Sequence, residues 1–117
     1  MARPRSSAAP GLVQAAPVFA ALGDETRLGI VLRLCASGPQ SIVRLTEGTK
    51  VSRQAVTKHL HTLEGAGLVH GTRDGREQIW EIEPRRLADA RRYLDQISHQ
   101  WDEAIGRLRA FVEEEKP

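Results

Sequence analysis

This sequence is short of several things, and each shortage excludes a class of protein. It holds one cysteine, Cys35, in 117 residues, so it can build neither an internal disulfide nor a cysteine-rich metal cage. Aromatic residues make up 4% of the chain. Leu, Val, Ile and Ala must therefore form the core, a stock that suits packed helices better than a large β-sandwich. No run approaches the roughly 18 uninterrupted apolar residues of a membrane span. The opening stretch, MARPRSSAAPGLVQ, has no apolar h-region, which argues against a secretory signal. No P-loop, dinucleotide fingerprint, G-x-S-x-G elbow or His-Glu-x-x-His occurs, so catalysis has no visible machinery. The expectation is a soluble cytoplasmic protein that is not an enzyme and needs no cofactor or metal.

What is present fits one domain of the usual size, about 100–150 residues. A hydrophobic fraction of 40% against 27% charged is too apolar for a wholly disordered chain. The net charge of +2 is unevenly spread. Residues 50–76 carry five basic against two acidic side chains, and three of the four histidines lie there. Residues 77–82 and 83–117 are net acidic. A basic centre suits a polyanionic partner, provided the elements carrying it present it outward.

Residues 1–13 lack periodicity and read as a flexible arm, with residues 14–117 as the domain. A short helix is expected from Pro17 to Gly23. Asp24 is a good N-cap, and Leu28, Val31, Leu32 and Cys35 then recur at helical spacing until Gly38-Pro39. This places Cys35 on the apolar side of its helix. Ser41 can cap a short helix closed by Gly48, and Ser52 caps a further one, RQAVTKHLHTLEGAG. Asp74-Gly75 is a favoured pair for a type I′ hairpin turn, which predicts two short antiparallel strands around it. Pro84 suits the first turn of a last helix reaching about residue 115. Along it Leu87, Ala90, Leu94, Ile97, Trp101, Ala104, Leu108 and Phe111 alternate by 3 and 4 residues, a heptad seam widened by Ile105 and Val112. A helix of roughly 30 residues is about 45 Å long, too long for its own domain to cover. A second copy of the chain is the economical partner, with Leu87, Leu94, Ile97, Trp101, Leu108 and Phe111 in the interface.

Two helices, a glycine-containing turn and a two-stranded ribbon follow the order helix-turn-helix plus wing. On the helix after Ser52, the residues Arg53, Gln54, Thr57, Lys58 and His61 fall in one arc, opposite Val56, Leu60 and Leu63. The polar arc has no carboxylate, and its Arg, Gln, Thr and Lys are the types that meet base edges and phosphates. Arg73 and Arg76 flank the ribbon's turn, where they can grip a backbone. His59 lies toward the apolar flank and is expected to be packed and hydrogen-bonded.

The segment from Val18 to Phe111, about 80% of the chain, resembles the ArsR (arsenic-repressor-like) family of winged helix-turn-helix regulators. The marks are FAALGDETRLGIVLRL, VSRQAVTKHLHTLEGAGLV, and GREQIWEIEP ahead of the long terminal helix. The resemblance implies a mainly α fold with a small two-stranded β-wing and a long C-terminal dimerisation helix at 84–115. It further implies a homodimer, usually a repressor, that binds double-stranded DNA with Ser52, Gln54, Thr57 and Lys58 at the interface. The family's metal-sensing signatures are missing. SIVRLTEGTK holds no Cys-x-Cys, and a D-x-H-x10-H pattern ending at His99 would need Arg86 and Ala88 as its other members. The chain is similar to members without metal sites.

Other readings use the same residues. Asp95, His99, Asp102 and Glu103 could meet their copies across a dimer and bind a metal, but such sets are usually ion-paired and solvated. Cys35 has no second thiol for an internal redox switch. A winged-helix dimer could also serve as a protein-interaction module, which predicts no salt-sensitive affinity for duplex DNA. The sequence names no operator, target gene or effector.

Overall fold

The computed structural model describes residues 12–114. Helices α1 (Leu12–Leu22) and α2 (Glu25–Ser37) are followed by strand β1 (Gln40–Ser41) and helices α3 (Ile42–Glu47) and α4 (Arg53–Gly65). Strands β2 (Val69–Asp74) and β3 (Glu77–Ile82) then lead into α5 (Pro84–Glu114). Among the described residues, no helix is long and apolar enough to cross a membrane.

Local capping chemistry sets most of these boundaries. The Asp24 carboxylate accepts the Arg27 N–H at 3.0 Å. The Ser41 hydroxyl accepts the Arg44 N–H at 3.2 Å, and that of Ser52 accepts the Ala55 N–H at 3.1 Å. Each side chain satisfies one of the donors that a helix start leaves unpaired. Helix α4 stops where Gly67 turns left-handed, with φ +79°, which lets the Leu68 N–H reach the Leu63 carbonyl at 3.0 Å. A glycine after the last turn is the residue this ending favours.

The core gathers one stripe from each element: Val18 and Ala21, Ile30 and Leu34, Leu45, then Val56, Leu60 and Leu63 of α4. Leu68, Val69 and Trp80 close it from the sheet, and Ala90 from α5. Helix α1 packs along α5, where Phe19 and Tyr93 stand with ring centroids 6.4 Å apart.

Several expectations are corrected. Residues 1–11 of the expected arm lie outside the described residues, while Leu12 and Val13 already belong to α1. That helix carries Pro17 inside it rather than starting there. Burial of Ala15, Val18 and Ala21 offsets the hydrogen bond that a proline within a helix forfeits.

On α2 the buried side is Ile30, Val31 and Leu34, whereas Leu28, Leu32 and Cys35 are exposed. Both sets repeat at helical spacing, and contact with α1, α4 and β3 decides between them. The ribbon is part of a three-stranded sheet of order β1-β3-β2, because Gln40 and Ser41 pair with Trp80 and Ile79. Asp74 closes the ladder opposite Glu77, so the loop is Gly75-Arg76. Only Gly75 has positive φ, at +65°. That is the sign pattern of a type II′ turn, since type I′ needs positive φ at both central residues.

Helix α5 divides near its seventh residue. Leu87 packs against the chain's own core and Ala90 is buried in it, so Leu87 is spent inside the protomer rather than on the outer seam where the sequence placed it. From Leu94 onward the seam is uncovered, with Trp101 65% and Phe111 60% exposed. This projecting half raises the radius of gyration to 19.6 Å, against about 13 Å for a compact domain of this length.

Candidate nucleic-acid interface

Helix α4 is held by Val56, Leu60 and Leu63, all fully buried, and that anchoring turns Arg53, Gln54, Lys58 and His61 into solvent, with Thr57 half-buried. Among the described residues, none of Arg53, Lys58, Arg73 and Arg76 forms an ion pair. Their charges are free to meet an anion. Ser52 uses a lone pair of its hydroxyl on the cap, which leaves the proton available to donate to a phosphate oxygen. The Thr57 hydroxyl donates to the Arg53 carbonyl at 2.9 Å, so Thr57 offers its methyl and a remaining lone pair outward.

The β2–β3 register places the wing arginines. Val69, Gly71 and Arg73 lie opposite Ile82, Trp80 and Gln78, and strand alternation puts all six on one face. Trp80 on that face meets the His61 ring edge-on, with centroids 5.9 Å apart. Arg73 thus continues, beyond the core, the sheet face that adjoins α4. Arg76 sits in the exposed loop beside Gly75.

The histidines divide as the sequence suggests. His59 is half-buried, and its Nδ1 accepts from the Arg27 guanidinium at 3.4 Å. His61 is exposed, with its Nδ1 3.5 Å from Glu64. His70, which the sequence does not single out, lies on β2 with Nε2 2.8 Å from Glu81 and Nδ1 3.5 Å from Glu83. His99 pairs with Glu103 on α5 at 3.2 Å, and the described residues contain no group of three or more His, Cys, Asp or Glu able to hold a metal ion within one chain.

Two residues that brace this face are invisible to sequence patterning. Arg27 donates from Nε to the Ala21 carbonyl at 2.7 Å while reaching His59, and so ties the end of α1 to α4. Arg33 donates to the Leu45 and Arg44 carbonyls at 3.1 and 3.0 Å. The Thr49 hydroxyl, within the turn before α4, lies 3.2 Å from the Thr46 carbonyl and 3.4 Å from that of Val51. The partners of Arg27 and Arg33 are backbone carbonyls or a ring that only the fold brings close, so no local residue pattern signals them, whereas those of Thr49 are its near neighbours in sequence. The Asp24 carboxyl is held below the usual carboxylate range. The Arg27 N–H it accepts is the main cause, slight desolvation opposes it, and the charge of Arg27 adds to it.

Comparison with known proteins agrees with this architecture. The family model described as a helix-turn-helix domain matches residues 22–72. The HTH-type transcriptional regulator Rv2034 of Mycobacterium tuberculosis is 36% identical over 95 residues, covering 81% of this chain and 85% of its own. An ArsR-like transcriptional regulator from Rhodococcus sp. RHA1 superposes with a TM-score of 0.73 at 35% identity, over 88% of this chain and 96% of that one. The solution structure of the homodimeric winged helix-turn-helix DNA-binding domain Mb0332 from Mycobacterium bovis, a possible ArsR-family regulator, has a TM-score of 0.61 at 28% identity. That match covers 88% of this chain and 92% of the neighbour. These relatives are regulators rather than enzymes. The chain belongs to the ArsR family of winged helix-turn-helix transcriptional regulators.

Proposed function

We propose that the chain works in the cytoplasm as a homodimeric, sequence-specific repressor that occludes promoters. The outer half of α5 pairs with its copy, and each α4 enters the major groove of a roughly palindromic site. Ser52, Arg53, Gln54, Thr57, Lys58 and His61 line that groove, while Arg73 and Arg76 hold the flanking backbone. Half-sites of a two-fold dimer lie about one helical turn apart, 10–10.5 base pairs, or a multiple of it. The observation that carries this reading is the exposed, carboxylate-free arc at the start of α4, turned outward by the three fully buried residues behind it. A homodimeric relative and the uncovered seam from Leu94 to Phe111 support the pairing.

A gel-shift titration of selected genomic fragments at two ionic strengths tests it. Each phosphate contact releases counterions, so affinity must fall steeply as salt is raised. Absence of any salt-sensitive complex would leave the winged-helix interaction module as the better reading.

A further inference from the structure

We propose that Arg33 is a positioning residue for DNA recognition: its guanidinium clamps the end of α3 and thereby fixes the angle at which the turn delivers α4. Position 48 is glycine to make room for that clamp. This rests on the DNA-binding reading above.

The two guanidinium nitrogens divide their work between neighbouring carbonyls. Nη1 donates to Leu45 at 3.1 Å and Nη2 to Arg44 at 3.0 Å. Both carbonyls lie in the last turn of a six-residue helix, where the helix dipole favours a cation, and that of Leu45 takes the guanidinium as a second donor beside the Gly48 N–H at 3.2 Å. Helices α2 and α3 otherwise approach each other at few points. An open cleft of about 560 Å³ runs between α2 and the turn, lined by Glu25, Gly29, Arg33, Gly48, Lys50 and Val51 among others. Apolar packing does not fill this gap. The arginine fork spans it.

Gly48 supplies the independent observation. Its φ of −90° and ψ of 6° are open to any residue, so the backbone does not demand glycine. A Cβ there would instead fall 1.4 Å from Arg33 Nη1 and 2.2 Å from Cζ. The obstructed group is the far end of a flexible side chain, so Gly48→Ala would expel the guanidinium while leaving its charge in the protein.

That separates the positioning role from a direct charge contact with DNA. Duplex affinity is measured for the wild type, Arg33→Ala, Gly48→Ala, Arg33→Lys and the Arg33→Ala/Gly48→Ala double variant, at a temperature where circular dichroism finds all of them folded. Arg33→Ala and Gly48→Ala should each weaken binding about tenfold, the scale of one lost charge-assisted hydrogen bond. The double variant should be no worse than either single one, and Arg33→Lys, with one donor in place of a fork, should fall between. In parallel, amide exchange at Gly48 and Thr49, whose N–H groups bond to Leu45 and Thr46 at 3.2 and 3.0 Å, should quicken in both single variants. Wild-type affinity in Arg33→Ala or in Gly48→Ala, or losses that add in the double variant, would overturn the proposal. So would a lowered melting temperature with unchanged affinity. If the wild type itself binds no duplex, the DNA-binding reading fails instead, and unchanged exchange at Gly48 and Thr49 would still refute the clamp.

Discussion

Gly71 lies under the ring of Trp80, its partner across the β2–β3 ladder. A Cβ on Gly71 would come 3.2 Å from Trp80 Cε3 and Cζ3, and 2.6 Å from Gln78 Nε2. The indole is 3% exposed and touches His61 of α4, so the fit of this one glycine links the wing to α4. Gly71→Val should therefore destabilise the protein by about 1–3 kcal/mol, the usual cost of overpacking. Urea unfolding measures it. In a Trp101→Phe background, where Trp80 is the sole indole, the same substitution should shift the folded-state emission.

The two classes of DNA contact in the proposed complex predict different defects. Arg73→Ala with Arg76→Ala removes two charges that the proposal sets against the DNA backbone, so affinity should drop alike for every duplex. The slope of log K against log[salt] should become shallower by about 2. Replacing Gln54 by Ala should instead alter preference among operators, costing roughly 1–3 kcal/mol at the base it reads. A Gln54 variant that keeps both affinity and preference would show that the groove-facing residues are wrongly assigned.

How far the sequence revealed all this depends on the range of each interaction. Asp24, Ser41 and Ser52 act on amides three residues away, and the heptad of α5 repeats along one helix, so these features are legible locally. The outward arc of α4 is legible too, because its apolar and polar residues separate cleanly on the wheel. Helix α2 is not. Leu28, Leu32 and Cys35 compete with Ile30, Val31 and Leu34 for the same period, and only contact with α1, α4 and β3 selects the second set. Strand β1 is two residues long, too short for alternation, and exists because β3 offers it a ladder. The sequence points to a type I′ turn at Asp74-Gly75, but register, set along the whole ribbon, moves the loop one residue on to Gly75-Arg76.

Along α5, the division between buried and uncovered residues predicts two kinds of failure. Trp101→Glu or Leu108→Glu, on the outer half, should leave the fold intact and weaken self-association by about 2 kcal/mol or more. Analytical ultracentrifugation at micromolar concentration should then find the single 12.9 kDa chain. Ala90→Glu, at a buried position, should unfold the protein, since it would bury an unpaired carboxylate. If the wild type already sediments as one chain, the outer seam does not pair.

The Asp24 cap predicts the acid limb of stability. Its carboxyl titrates lower in the folded chain than in the unfolded one, chiefly because the charged form accepts the Arg27 N–H. A depressed folded value means the contribution is fully present above the unfolded carboxylate's pKa, about 3.9. It is lost as pH falls through the lower folded value, because the unfolded state then binds the proton more readily. Asp24→Asn keeps a good capping oxygen but cannot titrate. Melting temperatures of the two proteins should therefore differ most near neutral pH, with wild type higher, and converge below about pH 4. A gap that stays constant from neutral to strongly acid solution would mean that the Asp24 charge plays no part in holding the start of α2.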